Sequence, residues 1–287
     1  MKIRFDRTVA TIAAFVTVTA PLQGVHAEPN APARAADSAA PSVDPAVKAA
    51  ITQWAATVGK QKTFAWKSTL KVTRVTGDPK TAKPEDREYK VTGFAQKPDR
   101  VRVEVSEGDK LVWIFTTAGD RGYSYEPATK KYTDLAHFQA HDMASPALVT
   151  SSMFITGDPV AFLDTGMGVP LKLSATNDGK SSAIVGVGHA VSPTTGDANS
   201  PAMSIKANVG MTFDATSHML MARSSSVDMG SLPKLDSPIE ETKPLSSVTC
   251  TETFEKIDFP KSIPADTFTW QPPADATVDT TAPAVGQ

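Results

Sequence analysis

Four short patterns in this 287-residue chain use residue types that do chemistry in other settings, and each fails on spacing or context. His137 and His141 stand four apart, like the zinc histidines of a helix, but Phe138 occupies the position where a metalloprotease carries its glutamate. Gly179-Lys180-Ser181 has the ending of a phosphate loop, yet Ser174 stands where that loop needs its first glycine. Ser68-Thr69-Leu70-Lys71 fits the S-x-x-K string of some acyl-transfer enzymes, but it lies in an alternating segment that sends Ser68 and Lys71 to opposite faces. Cys250 is the only cysteine. It shares a face with Val248 and Phe254 in VTCTETFEKI and reads as a small core hydrophobe with no activating neighbour. No nucleophile, base and orienting group combine into a recognisable set. The expectation is a protein that is not an enzyme, with no catalytic residues, no metal and no cofactor.

Apolar surface at strand spacing is what the chain offers instead. Met203, Ile205, Val209, Met211 and Phe213 alternate onto one face of a segment in a methionine-rich stretch between Met203 and Met229. Methionine is flexible and polarizable, which suits a lining for acyl chains of variable shape. Trp66, Leu70, Trp113 and Phe115 alternate inward in the same way on earlier segments. Trp66, Leu70, Trp113, Phe115, Met203, Ile205, Met211 and Phe213 are therefore the candidate lining of a ligand cavity, and the same pattern also fits an ordinary core. Arg100 and Arg102, with Lys67 and Lys71, fall on the opposite face. They form either a solvated surface or a docking face for an acidic partner or a lipid headgroup.

The elements that must position these residues are mostly strands. Asp44-Pro45 starts a helix, Val47, Ala50, Ile51, Trp54 and Val58 give it one apolar face, and Gly59 closes it. Alternation then predicts strands at 64–75, 88–96, 100–106, 110–117, 123–125 and 131–135, with a polar loop over 77–87. Leu111, Trp113 and Phe115 oppose Val112 and Ile114, so that strand is expected to be covered on both sides. One or two short helices are expected between 144 and 167. Strands resume at 171–176, 182–191, 203–213, 218–228 and 246–257, with a proline-containing loop at 230–244. Gly186 and Gly188, inside a strand, predict a bulge or a close backbone approach.

The amino terminus reads as a cleavable export signal over residues 1–27. Lys2, Arg4 and Arg7 precede an apolar run, and Val25-His26-Ala27 resembles a cleavage site. Residues 28–43 are an Ala/Pro-rich disordered linker, 44–278 a single domain, and 279–287 a disordered tail. Cleavage would remove three basic residues and one acidic residue from 29 Lys and Arg and 31 Asp and Glu, leaving 26 against 30. That balance excludes nucleic acid as a standing partner. The mature chain is not expected to span a membrane. An exported chain with one cysteine has no internal disulfide, so packing must hold it together.

Two segments carry a resemblance to a known family. KPDRVRVEV followed by KLVWIFTTAGDRGYSYEPATKKYT resembles the "RP-x-R-hydrophobic" strand, hairpin strand and tyrosine segment of the LolA/LolB-like periplasmic carriers. FEKIDFPKSIPADTFTWQPPADA is similar to their closing strand and F-x-x-x-PP-x-x-A tail. With the element order, the resemblance spans about 44–278 and is nearest to an uncharacterised predicted periplasmic branch of that superfamily. It implies a mainly β (α+β) fold: an incomplete antiparallel β-barrel with an N-terminal helix and short lid helices. It also implies a periplasmic, non-enzymatic protein that binds a lipid, a lipoprotein acyl chain or another apolar ligand. The arginine that latches the carriers' lid has no matching position in these motifs. The alternative function is an envelope sensor or scaffold that uses the same fold to engage a protein partner.

Overall fold

Alternating apolar and polar residues over most of the chain should build strands, and strands form. The computed structural model describes residues 45–78, 81–136, 146–157, 171–192, 203–228 and 245–279. The export segment at 1–27, the linker at 28–43, His137, His141, the helical stretch expected near 159–166, the loop at 230–244 and Met229 lie outside the described residues. Helix α1 (Pro45–Gly59) leads into strands β1 (Thr63–Thr76), β2 (Glu85–Gln96), β3 (Arg100–Glu107), β4 (Lys110–Ala118), β5 (Arg121–Glu126) and β6 (Lys131–Ala136). Helix α2 (Pro146–Thr156) follows. Then come β7 (Leu171–Asn177), β8 (Ser181–Ser192), β9 (Met203–Asp214), β10 (Leu220–Asp228), β11 (Leu245–Asp258), a single turn of 3-10 helix at Ala265–Phe268, and β12 (Thr277–Val278).

All the described strands join one sheet in the order β12-β6-β5-β4-β3-β2-β1-β11-β10-β9-β8-β7. Two meanders, β1 to β6 and β7 to β11, are thus zipped together by the long β1–β11 pair, in which Ala65 opposes Asp258 at one end and Thr76 opposes Leu245 at the other. Pairing is antiparallel throughout except for β12 against β6. The sheet does not close on itself. This is the incomplete antiparallel β-barrel that the LolA-like resemblance implies.

Both helices lie on one face of the sheet, here called inner. Helix α1 packs on β7 and β8, and α2 on β2 and β3. Their meeting point is Phe154 of α2, whose ring lies 4.8 Å from Phe64, 5.2 Å from Trp66 and 5.9 Å from Trp54 of α1. Trp54 in turn touches Phe213 of β9 at 5.5 Å, so one aromatic cluster ties both meanders to both helices. Such ring pairs add about 0.5–1.5 kcal/mol each beyond their buried area. Lys97, in the turn after β2, holds the end of α1: its Nζ lies 3.4 Å from the carbonyls of Val58 and Gly59 and 5.5 Å over the Phe64 ring. A cation at a helix C-terminus is favourable because the unpaired carbonyls there carry partial negative charge. Burial lowers the Lys97 pKa below that of an ordinary lysine.

The other face of β4 is covered from the carboxyl end of the chain. Thr116 donates to the carbonyl of Phe268 at 3.0 Å, and Arg102 Nη1 donates to that of Thr267 at 3.3 Å. Trp270 then settles among Tyr123, Tyr125 and Tyr132, with centroids 5.3–5.9 Å apart. Strand β4 is therefore covered on both sides, as its doubly apolar sequence predicts. The same segment ends in a short strand: Thr277 and Val278 pair with Lys131 and Tyr132, and the Asp279 amide donates to the Tyr132 carbonyl at 2.7 Å. A run as short as β12 has too few residues for alternation to reveal it. Strand β2 also begins earlier than its apolar pattern, at Glu85, because Thr73 donates to Asp86 at 2.7 Å and the β1 ladder extends over polar residues.

Two glycines permit close layers. A Cβ on Gly93 would fall 2.0 Å from the Trp66 indole, and one on Gly186 would fall 2.7 Å from Val209 and 2.8 Å from Leu173. Gly93→Ala must displace a large buried ring and should cost about 1–3 kcal/mol in urea unfolding. Gly59→Ala, with nothing within 4 Å of its new methyl, should leave stability unchanged or raise it by up to about 1 kcal/mol. Equal effects at both positions would contradict this packing.

Candidate functional site

Register places the candidate lining residues on the inner face, in cross-strand rows. Phe115, Val103, Gly93, Trp66 and Ile257 form one row, and Trp113, Val105, Val91, Ser68 and Phe254 the next. Tyr89, Leu70, Glu252, Arg223, Met211, Ile184 and Ala175 form a third that crosses both meanders. Trp66, Leu70, Trp113, Phe115, Met211 and Phe213 are all buried and belong to one continuous core with Trp54, Met153 and Phe154 of the helices. Ile205 is only partly covered, and Met203 opens β9 with a side chain outside the described residues. The methionine-rich stretch does not converge on one interior, because Met221 is exposed. A bulge between Leu220 and Ala222 breaks the alternation there.

A charged cluster lies in the middle of the third row, and the sequence reading did not place it. Arg223 Nε donates to Glu252 Oε2 at 2.6 Å and to Thr150 Oγ1 at 3.0 Å. The Thr150 hydroxyl donates onward to Glu252 Oε2 at 2.8 Å, and Ser68 donates to Glu252 Oε1. Arg223 and Glu252 are fully buried, at 2% and 0% side-chain exposure. Desolvating two charges costs several kcal/mol per ion, which only close pairing and satisfied hydrogen bonds offset. Both carboxylate oxygens of Glu252 are satisfied, one from β1 and one from α2 and β10. Through Thr150 the cluster is hydrogen-bonded to α2 as well as to the sheet. An arginine does therefore tie a helix to the sheet here.

Half of this cluster was legible. Alternation from Cys250 sends Glu252 to the same inner face as Val248 and Phe254. The bulge after Leu220 concealed Arg223, because counting from Leu220 sends it outward. Thr150 gave no signal at all, its partners being 73 and 102 residues away in sequence.

Two of the rejected motifs fall within the described residues. Ser68 is buried on Glu252, whereas Lys71 is exposed beside Glu88 at 3.4 Å. Gly179-Lys180-Ser181 is a tight turn closed on Asp178, whose carboxylate accepts from the Lys180 and Ser181 amides and is held below its usual pKa by them. Some of the outer basic residues are paired. Arg102 pairs with Glu104 at 2.6 Å, and Lys90 with Glu255 at 3.0 Å. Among the described residues no group of three or more His, Cys, Asp or Glu is placed to hold a metal, and no helix is long and apolar enough to cross a membrane.

Comparison with known proteins yields fold-level likenesses only. No protein-family model matches the chain, and no curated protein matches it. Among solved structures, an uncharacterized conserved protein from Thermus thermophilus superposes with a TM-score of 0.38 at 10% identity, covering 81% of this chain and 98% of its own. A candidate outer membrane lipoprotein-sorting protein domain from Vibrio parahaemolyticus gives 0.31 at 9% identity, covering 78% and 97%. A DUF1329 family protein from Desulfovibrio piger gives 0.32 at 11% identity, covering 78% and 97%. With superpositions this loose, the fold assignment rests on strand order and pairing in this chain.

Two outcomes check the cluster. Glu252→Gln leaves the Arg223 charge buried without its counter-ion and should cost about 3–5 kcal/mol, whereas Arg223→Leu combined with Glu252→Met should restore most of it. Urea unfolding of the single and double variants decides; an unharmed single variant would contradict the pairing. Cys250 sits beside the pair, and burial raises its pKa to about 11. The unfolded thiol ionises near its ordinary value of about 8.5. Above that pH the unfolded chain binds fewer protons than the folded one, so stability should fall from about 8.5 toward 11. Replacing Cys250 with Ala should flatten that part of the pH–stability curve.

Proposed function

We propose that this chain is a periplasmic, non-enzymatic binding protein, with residues 44–278 as one unit. It holds a lipid, a lipoprotein acyl chain or another apolar ligand against the inner face of its half-barrel. One observation carries the reading. Helix α2 inserts Phe154 into the aromatic centre of the inner face and is tied to the sheet by the Thr150 hydroxyl on Arg223 and Glu252. A segment held by packing and a side-chain hydrogen bond can withdraw and leave Phe64, Trp66, Leu70, Trp113 and Phe115 for an alkyl chain. Burial contributes about 0.8 kcal/mol per methylene, so a long acyl chain can replace what α2 gives up. The partner in this reading is a lipid or an acylated protein.

The second reading, a sensor or scaffold for another envelope protein, is favoured by how completely the inner face is filled. Trp66, Leu70, Phe115 and Met211 are each at most 2% exposed. The paired charges around Arg102 weaken the case for that strand as its docking face.

Expression from Glu28 onward in an exporting bacterial host, followed by lipid extraction of the purified protein, separates the two. A stoichiometric phospholipid, fatty acid or acylated peptide supports the carrier. A folded protein with no lipid and no uptake of a fluorescent acyl probe supports the scaffold. Met211→Asp would bury an unpaired carboxylate and unfold the core, so Thr150→Val is the better probe. It should speed acyl uptake several-fold while the β1–β11 amides keep their hydrogen-exchange protection; unchanged uptake would remove α2 from the entry route.

A further inference from the structure

Tryptophan in a protein core normally finds an acceptor for its indole N–H, because burying that donor unpaired costs about 1–3 kcal/mol. Trp113 obeys the rule: its Nε1 donates to Ser124 Oγ at 2.8 Å. Trp54 and Trp66 do not. Their Nε1 atoms are fully buried and have no hydrogen-bond partner, and the hydroxyl of Ser151 on α2 shares that state. The residues are 0%, 2% and 0% exposed.

These unpaired groups are not scattered. Trp54 and Trp66 both pack on the ring of Phe154, at 5.9 and 5.2 Å, and Ser151 lies one helical turn before that ring. All of them sit where α2 meets the inner face. A centre built only for packing would be served by phenylalanine at 54 and 66, as it is at 64. Two indoles add donors that Phe154, an aromatic hydrocarbon in contact with both rings, cannot satisfy. The polar cluster around Glu252 does not supply the acceptor, because its carboxylate is taken up by Ser68, Thr150 and Arg223.

We propose that Trp54 and Trp66 are donors for a carbonyl or carboxylate oxygen carried by the ligand, so that the site selects acyl compounds over plain alkyl chains. This rests on the binding reading above and sharpens its ligand class. When Phe154 withdraws, the alkyl part of the ligand takes the ring's place. An oxygen carried by the ligand supplies the acceptor that these buried N–H groups lack. In a water-poor core such a bond discriminates strongly, since a ligand lacking the oxygen leaves both donors unsatisfied.

A matched pair of ligands tests this. 1-Palmitoylglycerol and 1-O-hexadecylglycerol differ at one position, an ester carbonyl against an ether methylene. Native mass spectrometry at matched concentrations should show the ester binding at least roughly three- to tenfold tighter, the range for one hydrogen bond. Trp54→Phe with Trp66→Phe should erase that preference while retaining the ether. Should the double variant fold poorly, the wild-type indole N–H proton resonances serve instead. Those of Trp54 and Trp66 should move downfield with the ester and not with the ether. Equal affinity for the two ligands, or unmoved indole resonances, overturns the inference, leaves the donors to internal water, and keeps the acyl-chain reading intact. Binding of neither ligand overturns both.

Discussion

A buried ion pair sets the terms for the rest of this structure. Arg223 and Glu252 occupy adjacent strands in the middle of a row that is otherwise Tyr89, Leu70, Met211, Ile184 and Ala175. Two charges in that setting are tolerable only if both oxygens of the carboxylate are paired. Ser68 on β1 and Thr150 on α2 complete the set. The pair therefore dictates where α2 lies. With Thr150 fixed on the cluster, the next turn of the helix delivers Phe154 to Phe64, Trp66 and Trp54.

Other features follow from the need to cover an unclosed sheet without disulfides. The inner face has too much apolar surface to leave to solvent, and two helices divide it, one per meander. Trp66 can lie flat over β2 only because Gly93 lacks a Cβ. On the outer face, β1, β2 and β11 need no cover, because threonines and paired Lys and Glu side chains meet water there. Strand β4 does need it, with Ile114 pointing outward, and the segment around Phe268 and Trp270 supplies it. Cover on the outer face is thus placed where the sequence is apolar on both sides.

Most of the scaffold was legible because period-two patterns are a local property. Helix α1, the strands from β1 to β11 and the double coverage of β4 all follow from the alternation of neighbours. The inward set Trp66, Leu70, Trp113, Phe115, Met211 and Phe213 follows from it too. What escaped depends on relations that no local window contains. The bulge at Leu220 inverts the facing of Arg223, β12 joins β6 from the far end of the chain, and Thr150 finds partners on two distant strands. Glu252 was within reach, but a lone acidic residue in a strand suggests solvent until its partner is known.

The distinction between a filled core and a binding site is narrower in this fold than it first looks. Burying a phenylalanine or methionine side chain contributes about 1.5–3 kcal/mol, and each methylene of an alkyl chain about 0.8. Phe154, Met153, Leu148 and Val149 are the α2 side chains buried in the core, so a stretch of roughly eight to fifteen methylenes offsets all four. A shorter chain cannot displace the helix, and a longer one gains on it. The ion pair biases the balance toward closure, since Thr150 returns to a charged partner that remains buried. Under the proposed binding reading, full burial of the lining is what a plugged site looks like when its plug is part of the same chain, and exchange between helix and ligand replaces the filling of an open cavity.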